Sequence, residues 1–329
     1  MFSPLDIEGT QYYLKPMNCP HHHIIFNKIV KSYKDLPIRL AEAGTVYRNE
    51  LSGVTYGLMR VRCLTQNDAH IYLMPNQLKE EFLKVIEMME EAYKVIGLKD
   101  YWFRLSLPDF KKNPDKYTGD QKEWSYASEE IRKAMKESKK KFIEGEGEAA
   151  FYGPKIDVQI KNSQGKEETL STVQVDIVVP KRLEITYIDE KGNKQYPIII
   201  HRAPLGSYER FVAFLLEKTQ GNIPFWLSPN QVRIISFTDR NNAYVEKIFN
   251  KIKEEMPLLR IDKDLDSSPL PGKIREAELM KIPYIIVIGG KEEENKTLAI
   301  RKKGEKPKFG IKLEDFIEEI KEKIKLKKQ

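Results

Sequence analysis

VYRNELSGVTYGLMRVRCLTQNDAHIY, residues 46–72, is the stretch on which the rest of the chain is organised. Side chains alternate along an extended strand, so Arg60, Arg62, Leu64, Gln66, Asp68 and His70 fall on one face. Val61, Cys63, Thr65, Asn67, Ala69 and Ile71 fall on the other, small and mostly apolar, as a packed face requires. Upstream, Val46, Arg48 and Glu50 share a parity ahead of a turn-rich segment from Ser52 to Gly57, so the whole reads as a hairpin. The run exceeds the usual strand of about five or six residues, and a bend or break is expected inside it. Alternating charges ordinarily mark a solvated face. This one mixes guanidiniums, a carboxylate, an amide and an imidazole, a set that suits a ligand better than water.

Composition bounds what that ligand can be. With 329 residues the chain has room for two cores, and 40% hydrophobic with 32% charged residues describes a globular protein. The formal charge of +7 favours a polyanion partner, because Lys and Arg gain affinity by displacing phosphate counterions. Two cysteines, Cys19 and Cys63, exclude a disulfide framework and point to a reducing, cytoplasmic setting. No apolar run approaches a membrane span, and the first residues lack a signal pattern.

Outward from the hairpin, residues 23–33 carry helical apolar spacing and residues 38–43 lead as a strand into it. Residues 76–96 form the clearest helix, with Leu78, Phe82, Val85, Met89 and Tyr93 on one stripe and Gly97 as its stop. A strand over 101–107, a basic helix over 125–142 and a flexible acidic turn over 144–148 are expected next. Strand pairs follow at 155–161 with 172–180, turning through 162–165, and at 183–189 with 195–201. This is a mainly antiparallel sheet with helices. The Pro-punctuated segment ending at Pro229 marks a change of character, and the boundary is placed after residue 225. Beyond it, strands at 232–237, 259–262, 284–288 and 297–301 alternate with helices at 241–256, 272–281 and from 313, a separate α/β domain.

Chemistry concentrates in a few places. Arg48, Arg60 and Arg62 are candidates for a polyphosphate site, since planar guanidiniums match phosphate oxygens in pairs. In His201-Arg-Ala-Pro-Leu-Gly-Ser-Tyr-Glu-Arg210, Pro204 and Gly206 break a strand and Ser207 can cap a helix whose first turn holds Arg210. Neither a P-loop nor a GxGxxG element is present, so a nucleotide would lie on a sheet with arginines. Metal donors are few: His21, His22, His23, His70, His201, Cys19 and Cys63. By spacing alone, Cys19 with the neighbouring histidine triplet competes equally with any distant combination.

Taken together, Lys15-Pro-Met-Asn-Cys-Pro20, Tyr47-Arg-Asn-Glu50, Gly57-Leu-Met-Arg-Val-Arg62, Gln66-Asn-Asp-Ala-His70, Phe151-Tyr-Gly-Pro-Lys155 and His201 to Arg210 resemble threonyl-tRNA synthetase, a class II aminoacyl-tRNA synthetase. The resemblance spans essentially the whole chain, with Arg48-Asn-Glu50 similar to motif 2 and Gly206 to Arg210 similar to motif 3. It implies an α+β antiparallel-sheet catalytic domain over 1–225, N-terminally incomplete because motif 1 and the editing domain are absent. A small α/β anticodon-binding domain would occupy 226–329. The implied function is ligation of threonine to tRNA(Thr) through threonyl-adenylate, with ATP and Mg2+, and with one Zn2+ held by Cys19, His70 and His201. Asp68, Gln66 and Tyr152 would contact threonine. Arg48, Arg60 and Lys155 would hold the phosphates, while Glu50, Leu64, Gln174 and Arg210 would line the nucleotide. Arg275, Glu292 and Arg301 would read the tRNA. A full-length member is expected to be a homodimer away from any membrane.

The pattern departs from the family at Leu64, where an adenine-stacking aromatic is usual, and at Glu168-Thr-Leu-Ser171, which replaces Trp-Gln-Cys-Gly. These departures support an alternative, a truncated or degenerate paralogue that binds tRNA or amino acid without efficient aminoacylation. A prolyl- or seryl-specific relative is the third reading, opposed by Cys19, His70 and His201.

Overall fold

The computed structural model describes residues 1–29, 32–162 and 164–327. The chain folds as two compact units, Met1–Lys218 and Thr219–Gln329. The division precedes residue 225 because Phe225, 3% exposed, is buried in the second unit's core.

The first unit is built on a seven-stranded sheet ordered Ile38–Tyr47, Cys63–Leu73, Ile198–Ala203, Glu167–Asp176, Lys155–Lys161, Trp102–Leu107 and Phe142–Glu146. All neighbours are antiparallel except the last pair, where Phe142–Glu146 runs parallel to Trp102–Leu107. Those residues therefore form an edge strand where an acidic turn was expected, and the preceding helix is Gln121–Glu137. The helix beginning near residue 23 instead starts at Cys19 and is described to Ile29; its expected continuation over 30–31, like residue 163 of the expected turn, lies outside the described residues. A small hairpin, Leu5–Ile7 with Thr10–Tyr12, precedes it.

The hairpin at 46–72 forms with a different division of labour. Its strands are Ile38–Tyr47 and Cys63–Leu73, paired over ten residues from Ile38 opposite Tyr72 to Tyr47 opposite Cys63. Arg48, Glu50, Arg60 and Arg62 thus lie in the connecting loop and not on the strand. The packed face begins late, since Cys63 is exposed while Ala69 and Ile71 are buried. Period-two patterning explains the reverse face of the sheet, where Ile71, Ile198, Ile200, Val173, Val175, Ile156 and Val158 are all buried. The helix Leu78–Ile96 meets both Gln121–Glu137 and the Ile198–Ala203 strand. It buries Leu78, Phe82, Val85, Met89 and Tyr93, the stripe expected from spacing, and Ile86 beside them.

In the second unit, Val232–Ser236, Ile261–Asp264 and Tyr284–Ile288 run parallel, and Thr297–Lys302 and Lys308–Lys312 complete the sheet antiparallel. The last strand and a short helix, Gly290–Asn295, were not visible as patterns in the sequence. Helices Asn242–Glu255 and Leu313–Lys325 supply Val245, Ile248, Ile252, Phe316 and Ile320 to one core. Ala277 of the Leu270–Leu279 helix joins Ile235, Ile285 and Val287 in a second. Helices therefore cover both faces, the arrangement that a partly parallel sheet needs. Among the described residues no helix is long and apolar enough to cross a membrane.

Candidate active site

Register, not sequence proximity, assembles the site. In the central strands His201 stands opposite His70 on one side and opposite Gln174 on the other, so the three side chains share a face. The Cys19–Ile29 helix places Cys19 over that face. One donor atom each from Cys19, His70 and His201 lie within 4.8 Å of one another, the one such group of three found among the described residues. The histidine triplet beside Cys19 is not part of it. His22 and His23 are buried and serve around it.

The hydrogen bonds dictate which nitrogens face the cluster. His22 Nε2 lies 3.3 Å from Glu42 Oε1, and His22 Nδ1 lies 2.7 Å from His70 Nδ1. Burial lowers the pKa of both rings and keeps them neutral, with Glu42 partly opposing this at His22. The set of tautomers that satisfies both contacts has His22 Nε2–H donating to Glu42 and His70 Nδ1–H donating to His22. His70 Nε2 is then an unprotonated lone pair, and it is buried without a partner. At His201, Nε2 donates to Asp176 Oδ2 at 3.1 Å, leaving Nδ1 toward Cys19 Sγ at 3.5 Å. Burial alone would lower this ring's pKa; the Asp176 and Cys19 bonds and charges outweigh it and push it up to about 10. A sulfur, the orphaned His70 lone pair and a second imidazole backed by a carboxylate, whose Nδ1 proton a metal would displace, form a donor set that suits zinc.

The neighbouring residues are firmly held. Asn18, fully buried, donates Nδ2 to Asp68 Oδ2 at 3.1 Å, and Asp68 itself is 9% exposed. The Tyr152 hydroxyl bonds Gln174 Oε1, and the Tyr152 ring lies 5.5 Å from His201. Gly153 makes this possible: a Cβ there would sit 1.6 Å from Val175 O, so only glycine lets the Tyr152 turn lie against the sheet. Burial raises the Tyr152 phenol pKa, aided by the charges of Asp176, Cys19 and Asp68 and opposed by Arg48, whose charge reaches this end of the site. Lys155 Nζ donates to Asp157 Oδ2 at 2.6 Å, and buried Asp157 also accepts from Ser106 and Thr172.

The strand-to-helix passage forms as its sequence suggests. Gly206 takes φ +71°, and a Cβ there would meet Leu170 O at 2.7 Å. Ser207 Oγ accepts the Arg210 N–H, and Phe211 and Phe214 turn inward. The passage is tied to the hairpin by a bridge between Gln66 and Ser207 and by both Glu209 carboxylate oxygens on the Thr65 N–H.

The arginines are arranged more loosely. Arg60 pairs with Glu50 at 3.0 Å, with its side chain 56% exposed. Arg62 braces the loop, bonding Glu50 O and Ser52 Oγ. Arg210 faces Glu168 at 3.8 Å. Arg275 is exposed on the Leu270–Leu279 helix, Glu292 is in the first turn of Gly290–Asn295, and Arg301 is on the Thr297–Lys302 strand. Asp176, Asn18, Glu42 and Glu209 were not singled out by the sequence, and His22 was named there only as a possible metal donor. Only Asp176 carried a signal, two residues beyond Gln174 on the same strand face.

Residues 3–219 match the family described as the tRNA synthetase class II core domain (G, H, P, S and T), and residues 231–323 match the anticodon binding domain. A threonine--tRNA ligase of Bacillus velezensis is 44% identical over 96% of this chain and 49% of its own. Threonine--tRNA ligase 1 of Bacillus subtilis is likewise 44% identical, over 96% of this chain and 49% of its own. The chain thus spans about half the length of these curated relatives. A crystal structure titled as the RNA binding domain of threonyl-tRNA synthetase from Cryptosporidium parvum Iowa II superposes with TM-score 0.87 at 32% identity, covering 97% of this chain and 79% of that one.

Proposed function

Because the chain belongs to the threonyl-tRNA synthetase family of class II aminoacyl-tRNA synthetases, we propose that it activates L-threonine with ATP and transfers it to tRNA(Thr). The observation that carries this reading is the trio Cys19, His70 and His201, whose donor atoms lie within 4.8 Å of one another, with His70 Nε2 buried and unpartnered and His201 backed by Asp176. Cys19, His70 and His201 would hold a zinc ion, which would supply a Lewis acid for the amino and hydroxyl groups of threonine. A valine methyl cannot replace that hydroxyl without leaving polar groups unpaired, which is where large discrimination arises.

Asp68, fixed by Asn18, accepts from the threonine polar groups, with Gln66 and Tyr152 bordering it. The reaction joins a threonine carboxylate oxygen to the α-phosphorus of ATP and breaks the bond to pyrophosphate. Such a displacement asks for alignment and charge stabilisation and not for a general base. Arg48 neutralises the α-phosphate, Arg60 leaves Glu50 to meet the γ-phosphate, and Lys155, steered by Asp157, contributes alongside Mg2+. Glu50, so released, orients the adenine, with Leu64, Gln174 and Arg210 lining the nucleotide. Arg275, Glu292 and Arg301 contact the anticodon, and Cys19 and Cys63, both free, fit a reducing cytoplasm.

Amino-acid-dependent ATP–pyrophosphate exchange, comparing threonine, serine, valine and proline, tests the assignment. Threonine is expected to give the fastest exchange; exchange with proline and not threonine overturns it. A degenerate paralogue that binds without ligating draws on Leu64 and on the Glu168 carboxylate facing Arg210. Tight threonine binding with no exchange would favour that reading.

A further inference from the structure

The second unit holds an aromatic ring in a position that packing does not explain. Phe237 is 53% exposed at the carboxyl end of the Val232–Ser236 strand. Its ring meets no other aromatic ring among the described residues, and Thr238, Asp239 and Arg240 beside it are exposed and polar. Its backbone is nevertheless fixed, because its N–H donates to Ile288 O at 2.8 Å and extends the ladder between two parallel strands. The following turn is braced too. Thr238 Oγ1 bonds Asn241 Oδ1, and Asn241 Nδ2 donates to Glu293 Oε2 at 2.9 Å, joining it to the Gly290–Asn295 helix.

Glu292 stands at the same spot. A Cβ built on Gly289 would lie 3.1 Å from Glu292 Oε2 and 3.5 Å from Phe237 Cβ, so glycine there lets the ring root and the carboxylate approach one another. One Glu292 oxygen accepts the Gly289 N–H at 3.0 Å, and the other carries no bond among the described residues. The carboxyl ends of parallel strands are where open α/β sheets bind ligands. The second unit also carries the larger part of the chain's excess of Lys and Arg over Asp and Glu.

We propose that Phe237 is a stacking platform for an unpaired RNA base, whose edge is read by Glu292. The inference rests on the functional reading above and extends it to a residue that reading does not use. A flat ring gives any base a π-face, and a carboxylate beside it accepts from the N–H groups on a base edge. A protein partner is the poorer fit, because a lone ring among charged neighbours is not the contiguous apolar patch that protein docking uses.

The test measures binding of the full chain to a tRNA(Thr) transcript at fixed salt, with a fluorescent purine analogue placed in turn at each anticodon-loop base. Quenching at one position is expected. Phe237→Ala should relieve it and weaken binding by about 5- to 150-fold, the range for losing one stacked base, and Phe237→Tyr should restore both. Phe309→Ala removes the 70% exposed ring of the Lys308–Lys312 strand and should change neither. Equal affinity of Phe237→Ala and the wild-type chain overturns the proposal, as does failure of Phe237→Tyr to rescue or an equal loss in Phe309→Ala. If the wild-type chain itself does not bind the transcript, the tRNA ligase reading falls with it; if it binds and only the Phe237 effect is missing, stacking alone is refuted.

Discussion

The two halves of the candidate active site are built on opposite plans. In the amino-acid half, Cys19, His70, His201, Asp68 and Asp176 are fixed by strand register, buried hydrogen bonds and a helix seated over the sheet. In the nucleotide half, Arg60 and Arg210 are solvent-facing, sit on a loop and a helix start, and are held by carboxylates that a nucleotide would displace. A small amino acid differs from its competitors by a methyl or a hydroxyl, so its pocket must exist before it arrives. A triphosphate brings enough charge to reorganise guanidiniums that are exposed and screened. The comparison predicts steep losses on the buried side and shallow changes on the exposed side.

The steepest loss belongs to the ligands. Cys19→Ala and His201→Ala are each expected to take zinc from one per chain to none by metal analysis. Threonine-dependent exchange should fall by more than about 100-fold, beyond the 10- to 100-fold typical of changing a ligand's partner. If both variants keep one zinc per chain, the amino-acid half is not the metal site and the contrast between the halves collapses.

Asp176→Asn is expected to come next. Asp176 is fully buried, with Oδ1 accepting the Val178 and Val179 N–H groups and Oδ2 receiving His201 Nε2–H. Asparagine can keep the first role, but its amide nitrogen would then face the ring N–H, donor against donor. The imidazole responds by moving its proton to Nδ1, the atom directed at Cys19. Zinc affinity, measured by chelator competition, should fall about 10- to 100-fold while melting behaviour stays near that of the parent. Unchanged zinc affinity would mean that Asp176 serves only the turn at 178–179.

The same contrast separates what the sequence showed from what it hid. Antiparallel strands, the helix at Leu78–Ile96 and the capped passage at 206–210 follow from periodicity and turn chemistry, which are local. Placing His70 opposite His201 depends on register between strands more than a hundred residues apart, and spacing could not choose between that trio and the histidine triplet; family resemblance did. Period-two reading placed Arg60 and Arg62 on the strand with His70, yet the ladder ends at Cys63 and the loop claims them. Alternation cannot reveal where pairing stops. The edge strand Phe142–Glu146 was hidden for a related reason, since its glycine and glutamates read as a turn and only the parallel neighbour makes it a strand.

The smallest effect tests the exposed half. Glu168 Oε2 lies 3.8 Å from Arg210 Nη2, while its other oxygen accepts from Asn162 Nδ2 at 2.9 Å. With the Arg210 side chain 40% exposed, such a pair contributes about 0–1 kcal/mol and is weakened by salt. Glu168→Gln keeps an acceptor for Asn162 and removes the charge opposing the guanidinium. The KM for ATP in the exchange reaction should therefore fall by up to about fivefold with kcat little changed, and raising the salt should shrink the difference between variant and parent. A KM that rises instead, and stays raised in salt, would show that Glu168 orients Arg210 for the nucleotide. The exposed half would then be preset in the same way as the buried one.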